Sequence, residues 1–395
     1  MRKLSANYIF DGKGTFYKNG ILVIDNEGFV IDLIDNNGQL KESESIEYYN
    51  GILTPGFVNA HCHIELSHLK DQIPQGKGIP AFIKEVVAQR ISSDEKINDA
   101  IVAAIEELKQ NGIVAVGDIS NKETSLFHKL NSDVYFYTFL ESFGLNDDTD
   151  NALIDTALGL YEKWKNKLDI AVVPHASYSC SPLLMGKVQI FQEKTGKVYS
   201  FHNQECRSEN ELFISKSGEL HDSLKKMGMN IDNLENDGLN SIQTVAKYFP
   251  AENNKILVHN IYTTEEDIDF LNEGFNLDTF YFCFCPRSNM YIEKKLPNVK
   301  MFYEKGLQCV IGTDGYSSNT SLSVLEEIKT LSAQFENIPL HEMLKWLCFN
   351  GAKSLKIDNR YGSFDKGKKP GVNLLFNVDL QNMEFIPTTD VKVII

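Results

Sequence analysis

The sequence predicts an α/β fold: a parallel (β/α)8 barrel in the middle of the chain and a small β-domain built from its two ends. Three observations predict it. Apolar, strand-like runs alternate with stretches of helical period through the middle of the chain. Eight such runs can be counted, near 52–60, 112–119, 134–141, 169–175, 198–204, 255–261, 278–285 and 308–314. Both ends instead read as short strands with tight turns. The alternation alone fits a closed barrel or an open parallel sheet, and eight strands is the number that a closed barrel of this kind requires.

The elements follow in chain order. Gly20-Ile-Leu-Val-Ile-Asp25 and Phe29-Val-Ile-Asp-Leu-Ile34, each preceded by an Asn/Gly turn signal, read as a hairpin. Between the first two barrel runs, residues 99–110 place Ile101, Ile105 and Leu108 on one helical face, and Gly112 supplies a stop. After a Lys/Gly/Pro-rich turn at Lys366 to Pro370, Gly371-Val-Asn-Leu-Leu-Phe376 and Val391-Lys-Val-Ile-Ile395 are strand-like. Two β-rich ends around a long middle suggest that the ends pair with each other.

Composition narrows the function. Apolar residues make up 42% of the 395-residue chain and charged residues 24%, which supports a packed core. Lys plus Arg number 39 against 54 Asp plus Glu, a net charge of −15. Such a chain repels phosphate backbones and anionic bilayers, so neither nucleic acid nor membrane is expected as a partner. The N-terminus has no apolar signal-peptide core, and no run is long enough to cross a bilayer. Seven Cys at irregular spacing, mostly inside apolar runs, read as reduced thiols and point to a cytoplasmic protein.

The candidate chemistry sits at the ends of the strand-like runs. One ends at His61 and His63, the next at Asp118, and later ones at His175, at His202 with Glu205, at His259 and at Asp314. In a parallel barrel those ends share the rim where active sites are built. Two His separated by one residue on an extended strand share a face, within reach of one metal ion. Taken singly, each residue has an ordinary alternative: a polar strand end, a hydrogen-bonded core His, a surface Glu or a turn Asp.

Taken in order, the motifs are more specific. Pro55-Gly-Phe-Val-Asn-Ala-His-Cys-His63, Val173-Pro-His-Ala-Ser-Tyr178, His202-x-x-Glu205, His259, Cys285-Pro-Arg-Ser-Asn289 and Gly312-Thr-Asp-Gly315 resemble the amidohydrolase superfamily. The resemblance is to its nucleoside- and heterocycle-deaminase branch, which is related to cytosine deaminase and the triazine chlorohydrolases. It covers residues 55–319 and, with the β-rich ends, nearly the whole chain. It implies a distorted (β/α)8 TIM barrel over residues 54–359 and a composite β-sandwich from residues 1–53 plus 360–395.

The resemblance also implies a site. One divalent metal, Zn2+ with Fe2+ as the alternative, would be held by His61, His63, His202 and Asp314, with Cys62 turned away. The catalytic residues would be Glu205, His259 and Asp314. Asp314 would take a proton from the attacking water and return it to the departing ammonia, Glu205 would protonate the ring nitrogen, and His259 would hydrogen-bond the attacking oxygen. His175, Phe82, Arg287 and Glu65, with His68 beside it, are the candidates to line a pocket. The implied function is hydrolytic deamination of an aminated purine nucleoside or related heterocycle. Glu65-Leu-Ser resembles aminodeoxyfutalosine deaminases, with deaminases of adenosine, S-adenosylhomocysteine and methylthioadenosine as competitors. A triazine-type chlorohydrolase, a cyclic amidase and a non-catalytic scaffold stay open. A small heterocyclic substrate is the implied partner, and homodimers are common in the family.

Overall fold

The computed structural model describes residues 1–39 and 45–395. It is a mixed α/β structure with fifteen strands among the described residues. The first five are β1 (Arg2–Phe10), β2 (Phe16–Lys18), β3 (Ile21–Ile24), β4 (Val30–Ile34) and β5 (Ile46–Pro55). The middle of the chain supplies β6 (Phe57–Cys62), β7 (Ile113–Ser120), β8 (Tyr135–Ser142), β9 (Asp169–Pro174), β10 (Tyr199–Asn203), β11 (Lys255–His259), β12 (Phe280–Phe284) and β13 (Gln308–Ile311). The C-terminal segment adds β14 (Val372–Phe376) and β15 (Asp390–Val393).

The two ends do pair. They form one seven-stranded sheet ordered β15-β14-β5-β1-β3-β4, with β2 beside β1. Leu4, Ala6, Leu22, Leu53, Val372 and Leu374 fill its buried face. This is a single mixed sheet where a two-sheet sandwich was expected. The expected run 52–60 also divides between two sheets. Its first half completes β5, and the chain crosses at Gly56 into β6. A Cβ on Gly56 would sit 2.3 Å from Val114 Cγ1 and 2.6 Å from the Pro370 carbonyl oxygen, so only glycine fits the crossing.

The other eight strands lie where the apolar runs placed them. They form two four-stranded parallel sheets, β6-β7-β8-β9 and β10-β11-β12-β13. The expected closed ladder is interrupted at two seams, each carrying a single parallel bridge: Ala176 with His202, and Cys62 with Asp314. Both bridges lie at the C-terminal ends of the strands. Alternation along the strands sorts their side chains into two layers. Val58, Ala115, Phe139, Ala171, Val173, Ile256, Val258 and Val310 pack between the sheets. Phe57, Val116, Leu140, Val172, Phe201, Leu257 and Ile311 face the surrounding helices.

The helix expected over 99–110 spans Asp94–Gln110, because the Ser93 hydroxyl caps it by accepting from Lys96 N–H. It buries Ile101, Ala104 and Leu108, with Ile105 only partly covered. All seven Cys are free and buried. No helix among the described residues is long and apolar enough to cross a membrane.

Candidate active site

The strand ends converge on a cavity of about 270 Å³. Simple alternation accounts for part of the convergence. His175 continues the inward phase of Ala171 and Val173, His202 that of Val198, and Asp314 that of Val310. The others need special backbone. Between Asn59 and Cys62, β6 uses one residue more than β7 does between Val116 and Asp118. This bulge inverts the phase of β6, so His61 and His63 turn inward after Val58 and Ala60. Cys62 then packs in the outer layer with Ile64, away from the imidazoles. His259 would face the helices like Leu257, but its φ of +75° swings it into the cavity. Gly312 leaves the room that His61 occupies, since a Cβ there would lie 2.8 Å from His61 Cβ.

Three imidazoles meet edge to edge. His63 Nε2 lies 3.1 Å from His61 Nε2 and 3.3 Å from His202 Nε2. Asp314 Oδ1 lies 3.8 Å from His61 Nε2 and 3.5 Å from His63 Nε2. The other carboxylate oxygen, Oδ2, accepts from the Ser288 hydroxyl at 2.7 Å and the Ser318 hydroxyl at 2.6 Å. Burial pushes His61 and His202 well below the usual histidine range, so both rings are neutral. His202 Nδ1 donates to the His175 carbonyl oxygen at 3.0 Å, which leaves its Nε2 as a lone pair. Three ring nitrogens converging in this way, next to a carboxylate oxygen, make a ligand set that could hold a metal ion. Burial alone would raise the Asp314 carboxyl, but the surrounding imidazoles, His63 foremost, outweigh it and hold it below the carboxylate range.

Beside this cluster stands an acid–base pair. His259 Nε2 is 3.5 Å from Glu205 Oε2. The Tyr178 hydroxyl donates to Glu205 Oε1. His259 Nδ1 donates to Asn289 Oδ1 at 2.9 Å, so its Nε2 is an acceptor. Burial pushes Glu205 well above the carboxylate range and His259 below its ordinary value. Both shifts favour the uncharged forms of the facing carboxyl and imidazole.

The remaining candidates divide. His175 lines the cavity, with Nδ1 2.7 Å from the Ser179 hydroxyl, and burial lowers its pKa to about 3. Phe82 lines it too, on the helix Ile79–Gln89 with Ile83, Val86 and Val87. Together with Leu224, Met227 and Met229 they make an apolar wall. Arg287 lies outside the cavity lining. It donates to Asn319 at 3.3 Å and Thr320 at 2.6 Å, and pairs with Glu326 and Glu327. Glu65 and His68 lie in an adjoining cleft. Glu65 Oε2 accepts from the backbone N–H of Asn121 at 2.9 Å, and burial raises its pKa to about 7. His68 Nε2 lies 3.2 Å from the Arg90 carbonyl oxygen. Asp118 points outward, in phase with Val116. It pairs with the equally buried Lys129 at 2.6 Å and accepts from Ile64 N–H at 2.8 Å, which anchors the loop after the metal-type histidines.

Several lining residues escaped the sequence reading: Glu141, Tyr178, Arg90 and Asn121. Glu141 carried a usable signal. It ends the run Tyr135-Phe-Tyr-Thr-Phe-Leu, in phase with Tyr137 and Phe139, as a ligand-type residue at a strand end.

Residues 52–389 match the model of the amidohydrolase family. The 5-methylthioadenosine/S-adenosylhomocysteine deaminase of Thermoanaerobacter pseudethanolicus is 27% identical over 91% of this chain and 81% of its own length. The aminodeoxyfutalosine deaminase of a Nitratiruptor species is 26% identical over 80% of this chain and 76% of its own. Among solved structures, Helicobacter pylori aminofutalosine deaminase in complex with methylthio-coformycin superposes with a TM-score of 0.79. It is 21% identical, over 95% of this chain and 92% of that one.

Proposed function

The chain belongs to the amidohydrolase family, and from that premise we propose that it is a metal-dependent hydrolytic deaminase of an aminated purine nucleoside or a related heterocycle. The observation that carries this reading is the convergence of the His61, His63 and His202 ring nitrogens with the Asp314 carboxylate, set beside Glu205 facing His259. The names of the relatives support the same class of substrate.

His61, His63, His202 and Asp314 would hold one divalent ion, and three imidazoles with one carboxylate suit Zn2+, with Fe2+ as the alternative. When bound, the metal supplies Lewis acidity that lets water ionise near neutral pH. The chain's own residues then divide the proton transfers. Asp314, held at Oδ2 by Ser288 and Ser318, takes a proton from the attacking water. His259 accepts a hydrogen bond at Nε2 and orients the attacking oxygen. Glu205 gives its proton to the ring nitrogen next to the amino-bearing carbon, which makes that carbon more electrophilic. Asp314 returns its proton to the amino group as the carbon–nitrogen bond breaks and ammonia leaves, while the proton remaining on the new oxygen passes by way of His259 to Glu205, which forms the carbonyl and restores the acid. The apolar wall from Phe82 to Met229 excludes water and covers the uncharged part of the substrate.

The same reading takes the two parallel sheets as halves of one distorted (β/α)8 barrel over residues 54–359, with residues 1–53 plus 360–395 as its β-domain. The bridges at both seams support it. The test is ammonia release from metal-loaded protein across a purine, pterin and triazine panel. Release from an aminated purine nucleoside is expected. Chloride release from chlorinated triazines without ammonia from any purine would overturn the reading.

A further inference from the structure

Glu141 is the penultimate residue of β8, on the inward phase; it is 8% exposed and lines the cavity. Its Oε2 accepts from Asn121 Nδ2 at 3.3 Å, and the same Nδ2 donates to the Glu141 carbonyl oxygen at 3.1 Å. Asn121 is fixed in turn through its backbone N–H, which donates to Glu65. The carboxylate is thus gripped from one side. Its other oxygen, Oε1, is buried and has no hydrogen-bond partner among the described residues. A buried acceptor without a donor is costly and calls for an explanation.

The neighbours do not supply one. His202 Nδ1 lies 3.6 Å away, and its proton already goes to the His175 carbonyl oxygen at 3.0 Å. Arg90 is the one Lys or Arg among the described lining residues, and it leans toward Glu65 at 4.0 Å. Facing this shelf, Phe82, Ile83, Val86 and Met229 offer no polar atoms.

We propose that Glu141 is the specificity-determining acceptor of the cavity, receiving a hydrogen bond at Oε1 from a hydroxyl or amine of the substrate other than the departing amino group. The substrate is then amphipathic, with a donor toward β8 and apolar surface along the helix Ile79–Gln89. Glu65 and Asn121 act as positioning residues behind it. This inference rests on the deaminase reading for the identity of the reacting ring.

The test is Glu141→Gln with adenosine, its 2′-deoxy, 3′-deoxy and 2′,3′-dideoxy analogues, and 9-methyladenine. Asn121 holds the amide oxygen, so the variant turns an N–H2 toward the cavity and donor meets donor. A rise of about 10- to 100-fold in KM for adenosine is expected, with kcat and metal content nearly unchanged. The penalty should shrink to about twofold for the analogue that lacks the bound donor. Calorimetric Kd values across the same series make the comparison without turnover. A wild type that binds but releases no ammonia therefore counts against the proposed function alone. Asn121→Ala, which loosens the carboxylate without removing it, should show a smaller loss with the same dependence on substrate. An equal penalty across the whole series, loss of bound metal, or a wild type that binds none of these compounds would overturn the proposal.

Discussion

Replacing Glu205 with Gln separates proton transfer from every other contribution of that side chain. The Tyr178 hydroxyl donates to Oε1, and a glutamine keeps an acceptor there. The amide nitrogen then takes the place of Oε2, 3.5 Å from His259 Nε2, where it still donates to the imidazole lone pair. The pocket keeps its shape and both contacts, and only the transferable proton is lost. General acid catalysis of this kind is worth about 10²- to 10⁴-fold in kcat. At ~1.36 kcal/mol per tenfold, that is roughly 3–5 kcal/mol of transition-state stabilisation. KM should stay near its wild-type value, because the ground-state contacts survive. The assay is ammonia release at saturating substrate, with metal content measured on the same preparation. Turnover within about tenfold of wild type, at full metal occupancy, would refute Glu205 as the acid.

The pH profile follows from the same pair. Burial raises Glu205 above its ordinary 4.5, so kcat/KM should hold through the acidic carboxylate range and fall as rising pH strips that proton. Burial lowers His259 below 6.5, so protonation of the imidazole should cut activity only below that pH, and an acid limb above it would contradict the assignment. His61→Ala removes a convergent imidazole and should abolish metal binding, which elemental analysis of the purified variant reads directly; full occupancy would count against the ligand set. Lys129→Met leaves the Asp118 carboxylate buried without its cation and should cost about 3–5 kcal/mol in chemical denaturation. Adding Asp118→Asn should recover part of that loss, and an unchanged midpoint in the single variant would show that the pair does not hold the loop.

Much of the candidate site was legible because one rule found it: an apolar run that stops at a ligand-type residue. The rule found His175, His202, His259 and Asp314, and it would have found Glu141 had alternation been followed to the end of β8. It also selected Asp118, whose carboxylate faces the helices and Lys129. Arg287 and Glu65 illustrate a different limit. Their positions near the site motifs were legible, but the donors and acceptors that engage them come from Asn319, Thr320 and Asn121, brought together only by folding.

The amino-acid sequence by itself determined the eight apolar runs, the pairing of the two β-rich ends with each other, and the inward phase of His175, His202 and Asp314, because side-chain direction along a strand repeats every two residues. That same periodicity puts His61, His63 and His259 on the wrong face. Only the tertiary structure decided otherwise, through one extra residue in β6 opposite β7 and a left-handed backbone at His259. A bulge is a property of two strands paired across some fifty residues of chain, and a positive φ at a non-glycine residue persists only where surrounding packing enforces it. Neither leaves a local mark in the sequence, yet together they turn scattered histidines into one cluster.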